Sequence, residues 1–211
     1  MELLRPLLDL FLNLDVHLAT VVAEYGAVTY VLLFLIVFCE TGLVVTPFLP
    51  GDSLLFAAGA FAGLGALDPV LLIVLLSTAA IVGDSVNYAT GSLIGPRVFK
   101  EKARYFHKQH LLRTEKFYAS HGGKTIVLAR FIPIIRTFAP FVAGIGSMSY
   151  PRFLSYNVFG GILWVLLFVL GGYFFGTIPL VQANFEWVVL GIIILSFLPV
   201  LWEWWKGKQR R

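Results

Sequence analysis

The chain has 211 residues, of which 58% are hydrophobic and only 13% charged, against roughly 25% charged in an average soluble domain. Several apolar runs approach or exceed the ~20 residues that span a ~30 Å hydrocarbon core, which predicts a multi-pass membrane protein with one membrane domain and no separate soluble domain. The net charge of +4 does not point to nucleic acid. Basic residues gather where membrane proteins carry cytoplasmic charge, in the stretch 97–124 and in the tail Lys206, Lys208, Arg210 and Arg211, and no nucleic-acid-binding motif is visible.

The N-terminal 1–24 segment does not read as a signal peptide, because it lacks a basic start and Asp9 and Asp15 interrupt its apolar run. Leu4, Leu7, Phe11, Leu14 and Leu18 recur at helical spacing, with Asp9, Asn13, His17 and Glu24 mostly on the other side. This predicts an amphipathic helix in the membrane interface. Its acidic face is unusual there, so a helix docked over the bundle is the alternative. A span is expected at 27–45. Cys39 lies within it, and as a single cysteine it excludes an intramolecular disulfide. Pro47, Pro50 and Gly51 then end the helix, and apolar sequence resumes to give a broken segment over 46–66. A long span at 69–94 carries the polar set Gly83, Asp84, Asn87 and Tyr88.

After the basic segment 97–124, apolar sequence returns at 125–146, broken by Pro133 and Pro140. Spans at 152–176 and 185–205 precede the basic tail 206–211, with Trp202, Trp204 and Trp205 as an interfacial belt. Charge bias constrains the topology. A full crossing at 125–146 would put the basic segment and the basic tail on opposite faces, against the positive-inside rule. A re-entrant hairpin at 125–146 keeps both cytoplasmic, with neighbouring protein satisfying the freed backbone groups.

The two broken segments resemble each other. FLPGDSLLFAAG from Phe48 and FIPIIRTFAPFVAG from Phe131 share Phe-x-Pro, a charge and a terminal Ala-Gly at Gly59 and Gly144. Each precedes a span ending in a glycine pair, Gly91/Gly95 and Gly172/Gly176, which suit close helix packing. The expected fold is therefore an all-α polytopic membrane protein, an inverted repeat of re-entrant hairpin plus transmembrane helix, with an N-terminal amphipathic helix. Paired broken segments in inverted halves point to a transport site.

Charge in this context is costly. Each central Arg or Asp costs about 2.5–3.5 kcal/mol on insertion scales, so Arg130 and Arg136 together cost roughly 5–7 kcal/mol. Glu40 and Asp52 are the expected partners. Opposite charges about 4 Å apart regain about 4 kcal/mol at an effective dielectric of about 20. Structural readings stand beside this one. Asp52 with Ser53 can cap the helix that starts there, Arg136 can snorkel towards an interface, and Glu40 can be a structural ion-pair partner. Arginine stays charged and recognises phosphate, so Arg130 and Arg136 are the anion-binding candidates. Glu40 and Asp52 are candidates for binding and releasing protons. Asp84, with Asn87 and Tyr88 a turn away, is a further proton-coupling candidate or a helix–helix hydrogen-bonding residue.

No metal or other cofactor is expected. His107, His110 and His121 lie on or beside the basic segment without a tightly spaced third ligand. No enzyme is expected either, since neither hairpin holds a histidine and no Gly-x-Ser-x-Gly or His-Glu-x-x-His motif occurs.

The phrases FCETGLVVTPFLPGDSLLFAAG, GDSVNYATGSLIG, GGKTIVLARFIPIIRTFAPFVAGIGSMSYPRF and YNVFGGILWV, across about residues 25–176, resemble the DedA family. Its members are bacterial inner-membrane proteins that share the SNARE-associated or VTT domain with eukaryotic lipid scramblases of the endoplasmic reticulum. The resemblance implies paired re-entrant hairpins and lipid translocation or proton-dependent membrane homeostasis. For some members it implies return of undecaprenyl phosphate across the bacterial membrane. The family's acids fall on Glu40 and Asp52, and its arginines on Arg130 and Arg136. Ser92 departs from the pattern, since relatives often carry an arginine there, which puts any role for charge at that position in doubt.

Three functions follow as expectations. The first is a carrier of a phosphate-headed lipid, with polyprenyl phosphate or phospholipid and protons as partners, a location in the bacterial inner membrane and both termini cytoplasmic. The second is a proton-coupled exporter of a small ion or drug. The third is a structural or insertion-helper role. A homo-oligomer is compatible with each.

Overall fold

A computed structural model describes residues 20, 22, 24–43, 51–98, 123–146, 148–185, 187, 188 and 190–192. The described residues are helical and contain no strand. The helices are α1 (Val28–Gly42), α2 (Gly51–Gly63), α3 (Pro69–Val98), α4 (Lys124–Ala129), α5 (Pro133–Ile145), α6 (Tyr150–Phe175) and α7 (Pro179–Gln182). The expected amphipathic helix, the Pro47–Pro50 break, most of the basic segment, the aromatic belt and the basic tail lie outside the described residues, as does much of the 185–205 span.

Two helical stretches, Pro69–Ile94 and Tyr150–Phe175, are each 26 residues long. At 1.5 Å per residue each exceeds the hydrocarbon thickness. Only 39% and 33% of their most apolar windows are buried. The core helix of a soluble protein would bury most of such a stretch. Here Val70, Val74, Leu163 and Leu167 face outward instead, as lipid-facing residues do.

The chain forms two compact units. One comprises residues up to Leu35, Pro50–Leu76 and Val165 onward. Within it α2 is buried at nearly every position. It lies against the second half of α6 through mutual glycine contacts. A Cβ at Gly59 would collide with the Val169 carbonyl, and one at Gly172 with the Phe56 carbonyl. Gly65, with φ +80°, closes α2. The N–H groups of Gly65 and Ala66 donate to the carbonyls of Ala62 and Phe61, the left-handed helix stop that favours glycine. Asp68 then caps α3. Its carboxylate accepts from the Leu71 N–H at 2.7 Å, ahead of Pro69 at the first helical position.

The second unit comprises Ile36–Leu49 and Ser77–Trp164. Its packing repeats the glycine contact with the partners exchanged. A Cβ at Gly144 of α5 would meet the Tyr88 carbonyl of α3, and one at Gly91 would meet the Phe141 carbonyl. Its apolar core joins Tyr88, Ile126, Ala129, Ala139, Ala143, Met148 and Phe153. The Tyr88 ring stacks on Phe153, with centroids 4.5 Å apart, and its hydroxyl donates to the buried Met148 carbonyl.

The apolar stretch 125–146 is two helices separated at Arg130–Ile132. Ile132 is extended (φ −122°, ψ 105°), as the clash between a proline ring and the residue before it requires. Pro133 opens α5, where its missing N–H costs nothing. Pro140 corrects the sequence reading. It sits inside α5 without ending it. The residue before it is Ala139, whose methyl meets the proline ring less severely than a β-branched side chain, so the loss is confined to one helical hydrogen bond.

Candidate functional site

The break in 125–146 places two arginines. Arg130 ends α4 and Arg136 lies in the first turns of α5, its N–H bonded to the Ile132 carbonyl at 2.8 Å. Both are buried, Arg130 at 1% and Arg136 at 3% exposure. Neither snorkels. Each meets a different carboxylate.

Arg136 Nη2 lies 2.5 Å from Glu40 Oε1, in the last turn of α1. The Trp164 ring of α6 covers the same guanidinium, 4.9 Å from its carbon to the ring centroid. Arg130 Nη2 lies 2.5 Å from Asp84 Oδ2, at the middle of α3, and donates as well to Asn157 Oδ1 on α6. This revises the expected pairing, in which Glu40 and Asp52 faced both arginines. The acid bonded to Arg130 is Asp84, because the turn that ends α4 aims Arg130 at the polar stripe of α3. Asp52 is buried in the first turn of α2, where an acid suits the helix dipole, and it belongs to the other unit.

Two amides brace the pairs. Asn87 Nδ2 donates to the Thr41 carbonyl at 3.0 Å and the Thr137 carbonyl at 2.8 Å, tying α3 to α1 and α5. Thr41 lies in the last turn of α1, where carbonyls lack helical partners. Asn157 Nδ2 donates to the Ile81 carbonyl at 3.0 Å, which turns its oxygen to Arg130. Gly160 and Gly161 leave room for the Arg130 side chain.

The sites are not fully satisfied. Arg130 Nε and Nη1, Asp84 Oδ1 and Asn87 Oδ1 are buried with no hydrogen-bond partner among the described residues. A neutral buried group left in that state costs about 1–3 kcal/mol and a charged one more. Asn157 and Trp164 were missed in the sequence reading. An asparagine inside a span, one turn before Gly160-Gly161, was the available signal. Among the described residues no cluster of His, Cys, Asp or Glu could hold a metal.

Long apolar helices with outward apolar faces, enclosing buried and paired charges, define a polytopic helical membrane protein. The comparisons carry this to a family. The VTT domain matches residues 49–174. The chain is 58% identical to Protein DedA of Escherichia coli (strain K12), over 94% of this chain and 92% of that one. It is 43% identical to an uncharacterized membrane protein of Mycobacterium leprae (strain TN), over 82% and 78% of the two chains. It is 33% identical to the inner membrane protein YqjA of Escherichia coli (strain K12), over 96% and 97%. The chain belongs to the DedA family of VTT-domain membrane proteins. No solved structure matches it.

Proposed function

We propose that this protein is a bacterial inner-membrane carrier that moves a phosphate-headed lipid, such as undecaprenyl phosphate, between leaflets and couples the movement to protons. The observation that carries the reading is the state of Arg130. Its guanidinium is buried and its carboxylate bond engages only Nη2, while Nε and Nη1 have no partner among the described residues. A phosphate group supplies several acceptor oxygens and suits such a fork.

In this reading Arg130 and Arg136 bind the phosphate, and Glu40, Asp52 and Asp84 exchange protons as their pairs open and close. The pairs are closed here and nearly free of solvent exposure, so substrate enters from a different conformation, as alternating access requires. The segments around α2 and α5 act as re-entrant hairpins of an inverted repeat, with an amphipathic helix before them and both termini cytoplasmic. The glycine contacts support the repeat. In each unit a hairpin helix and a long helix exchange glycine–carbonyl contacts, with each glycine three positions after the carbonyl that receives its partner.

Full-length protein in vesicles containing a fluorescent polyprenyl phosphate tests the reading. Expected is faster leaflet equilibration than in empty vesicles, and its loss in Arg136→Ala. Equal rates for wild type and Arg136→Ala would end it. Proton flux with a candidate solute in vesicles lacking the lipid would favour a proton-coupled exporter instead.

A further inference from the structure

Arg136 has two anchors of unlike chemistry. Glu40 binds one of its nitrogens in an ion pair. Trp164, fully buried on α6, binds through the face of its ring, 4.9 Å from the guanidinium carbon. An arginine over an indole is held by the ring's quadrupole, most strongly where water is excluded. The two contacts use different parts of the same cation, so one can be released while the other persists.

We propose that Trp164 is a positioning residue that keeps the Arg136 guanidinium in place while its carboxylate partner is exchanged, so that an anionic head group can replace Glu40 without setting a buried cation loose. The proposal rests on the transport reading above only in naming the incoming anion. Without the ring, an Arg136 released by Glu40 would lose both anchors in an apolar site, where an unpaired charge is very costly. With the ring, the guanidinium keeps its place and offers its nitrogens to the next partner. A tryptophan serving only as filler predicts no link between its ring electrostatics and Glu40.

The test uses the full-length purified chain with Trp187, Trp202, Trp204 and Trp205 replaced by phenylalanine, so that Trp164 is its one tryptophan. Mono-, di- and trifluorotryptophan weaken the ring's negative face stepwise at nearly constant shape. Melting temperature is read in the Glu40 background and in Glu40→Gln, alongside Trp164→Phe and Trp164→Leu. Expected is a melting temperature that falls with each fluorine in Glu40→Gln and falls at least about twofold less in the Glu40 background. Trp164→Leu should be similarly non-additive with Glu40→Gln, and Trp164→Phe should recover part of the loss. Should Glu40→Gln not fold, Glu40→Asp supplies the weakened partner and the same series is read there. A flat fluorine series in every background overturns the proposal. The two readings fail separately. Additive variants in a chain that still moves labelled polyprenyl phosphate remove the Trp164 role alone. Non-additive variants in a chain that moves no lipid remove the transport reading alone.

Discussion

Arg130 and Asp84, 46 positions apart in sequence, meet with Nη2 and Oδ2 2.5 Å apart, and both side chains are almost completely buried. A pair of this kind contributes less to stability than its Coulomb energy suggests, because both ions were taken out of water. Breaking it by removing one partner is another matter, since a buried charge is left alone. Asp84→Asn should destabilise the protein by about 3–5 kcal/mol. Asp84→Asn with Arg130→Gln should cost much less than the sum of the two single changes. Denaturation of the four variants in detergent measures the coupling, and additive losses would mean the pair does not form in solution.

The glycine contacts give a second expectation. At Gly91 and Gly172 a methyl group would collide with a backbone carbonyl, of Phe141 and Phe56 respectively. Backbone cannot swing aside as a long side chain can, so the helices must separate. Gly91→Ala and Gly172→Ala should each cost about 1–3 kcal/mol. Gly191→Ala is the control, because nothing lies within 4 Å of its added methyl, and replacing glycine by alanine inside a helix is by itself favourable by about 1 kcal/mol. Thermal melts of the three variants decide the matter.

How much of this was legible beforehand differs by residue. That Arg130, Arg136, Glu40 and Asp84 would be buried polar residues followed from the cost of placing charge in an apolar run. The partner of Arg130 did not follow. It depends on the angle at which the Arg130–Ile132 turn leaves α4 and on the rotational phase of α3, and a one-dimensional pattern encodes neither. Proline behaved differently at its two positions for a local reason, the bulk of the residue before it. The sequence reading treated Pro133 and Pro140 alike, and only Pro133, after Ile132, adjoins a break. Asn157 and Trp164 look like ordinary residues of an apolar helix until the guanidinium groups are in place beside them.

Glu40 makes the third prediction. Its bond to Arg136 spans 96 positions and closes α1 against α5. In the proposed cycle, protonating Glu40 loosens this pair. Glu40→Gln fixes the neutral form, so any transport that remains should no longer respond to an imposed proton gradient. Lipid equilibration in vesicles with and without a pH step measures this. An unchanged response to the gradient would remove Glu40 from proton coupling and leave Asp84 and Asp52 as the candidates.

Asn157 makes the last. Its amide is oriented by two bonds at once, donating to the Ile81 carbonyl at 3.0 Å and accepting from Arg130. Leucine at this position removes both. The Ile81 carbonyl keeps its bond within α3, so the structural loss there is small. Arg130 loses one of the two acceptors on Nη2 and is left to Asp84 alone. Asn157→Leu should therefore destabilise the protein by about 1–3 kcal/mol, the range for a buried polar group that loses its partner. It should reduce lipid movement by more than that loss of folded protein explains, because a guanidinium held at one point no longer presents Nε and Nη1 in a fixed direction. Asn157→Asp separates the two effects. It keeps the acceptor for Arg130 and replaces the donor to Ile81 by a second carboxylate oxygen, which repels that carbonyl. If orientation of Arg130 is what Asn157 supplies, Asn157→Asp should bind Arg130 more tightly and slow its release, giving a folded protein that moves lipid slowly. Stability and flux measured on the same purified samples distinguish this from a packing role, which would make the leucine variant the better transporter of the two.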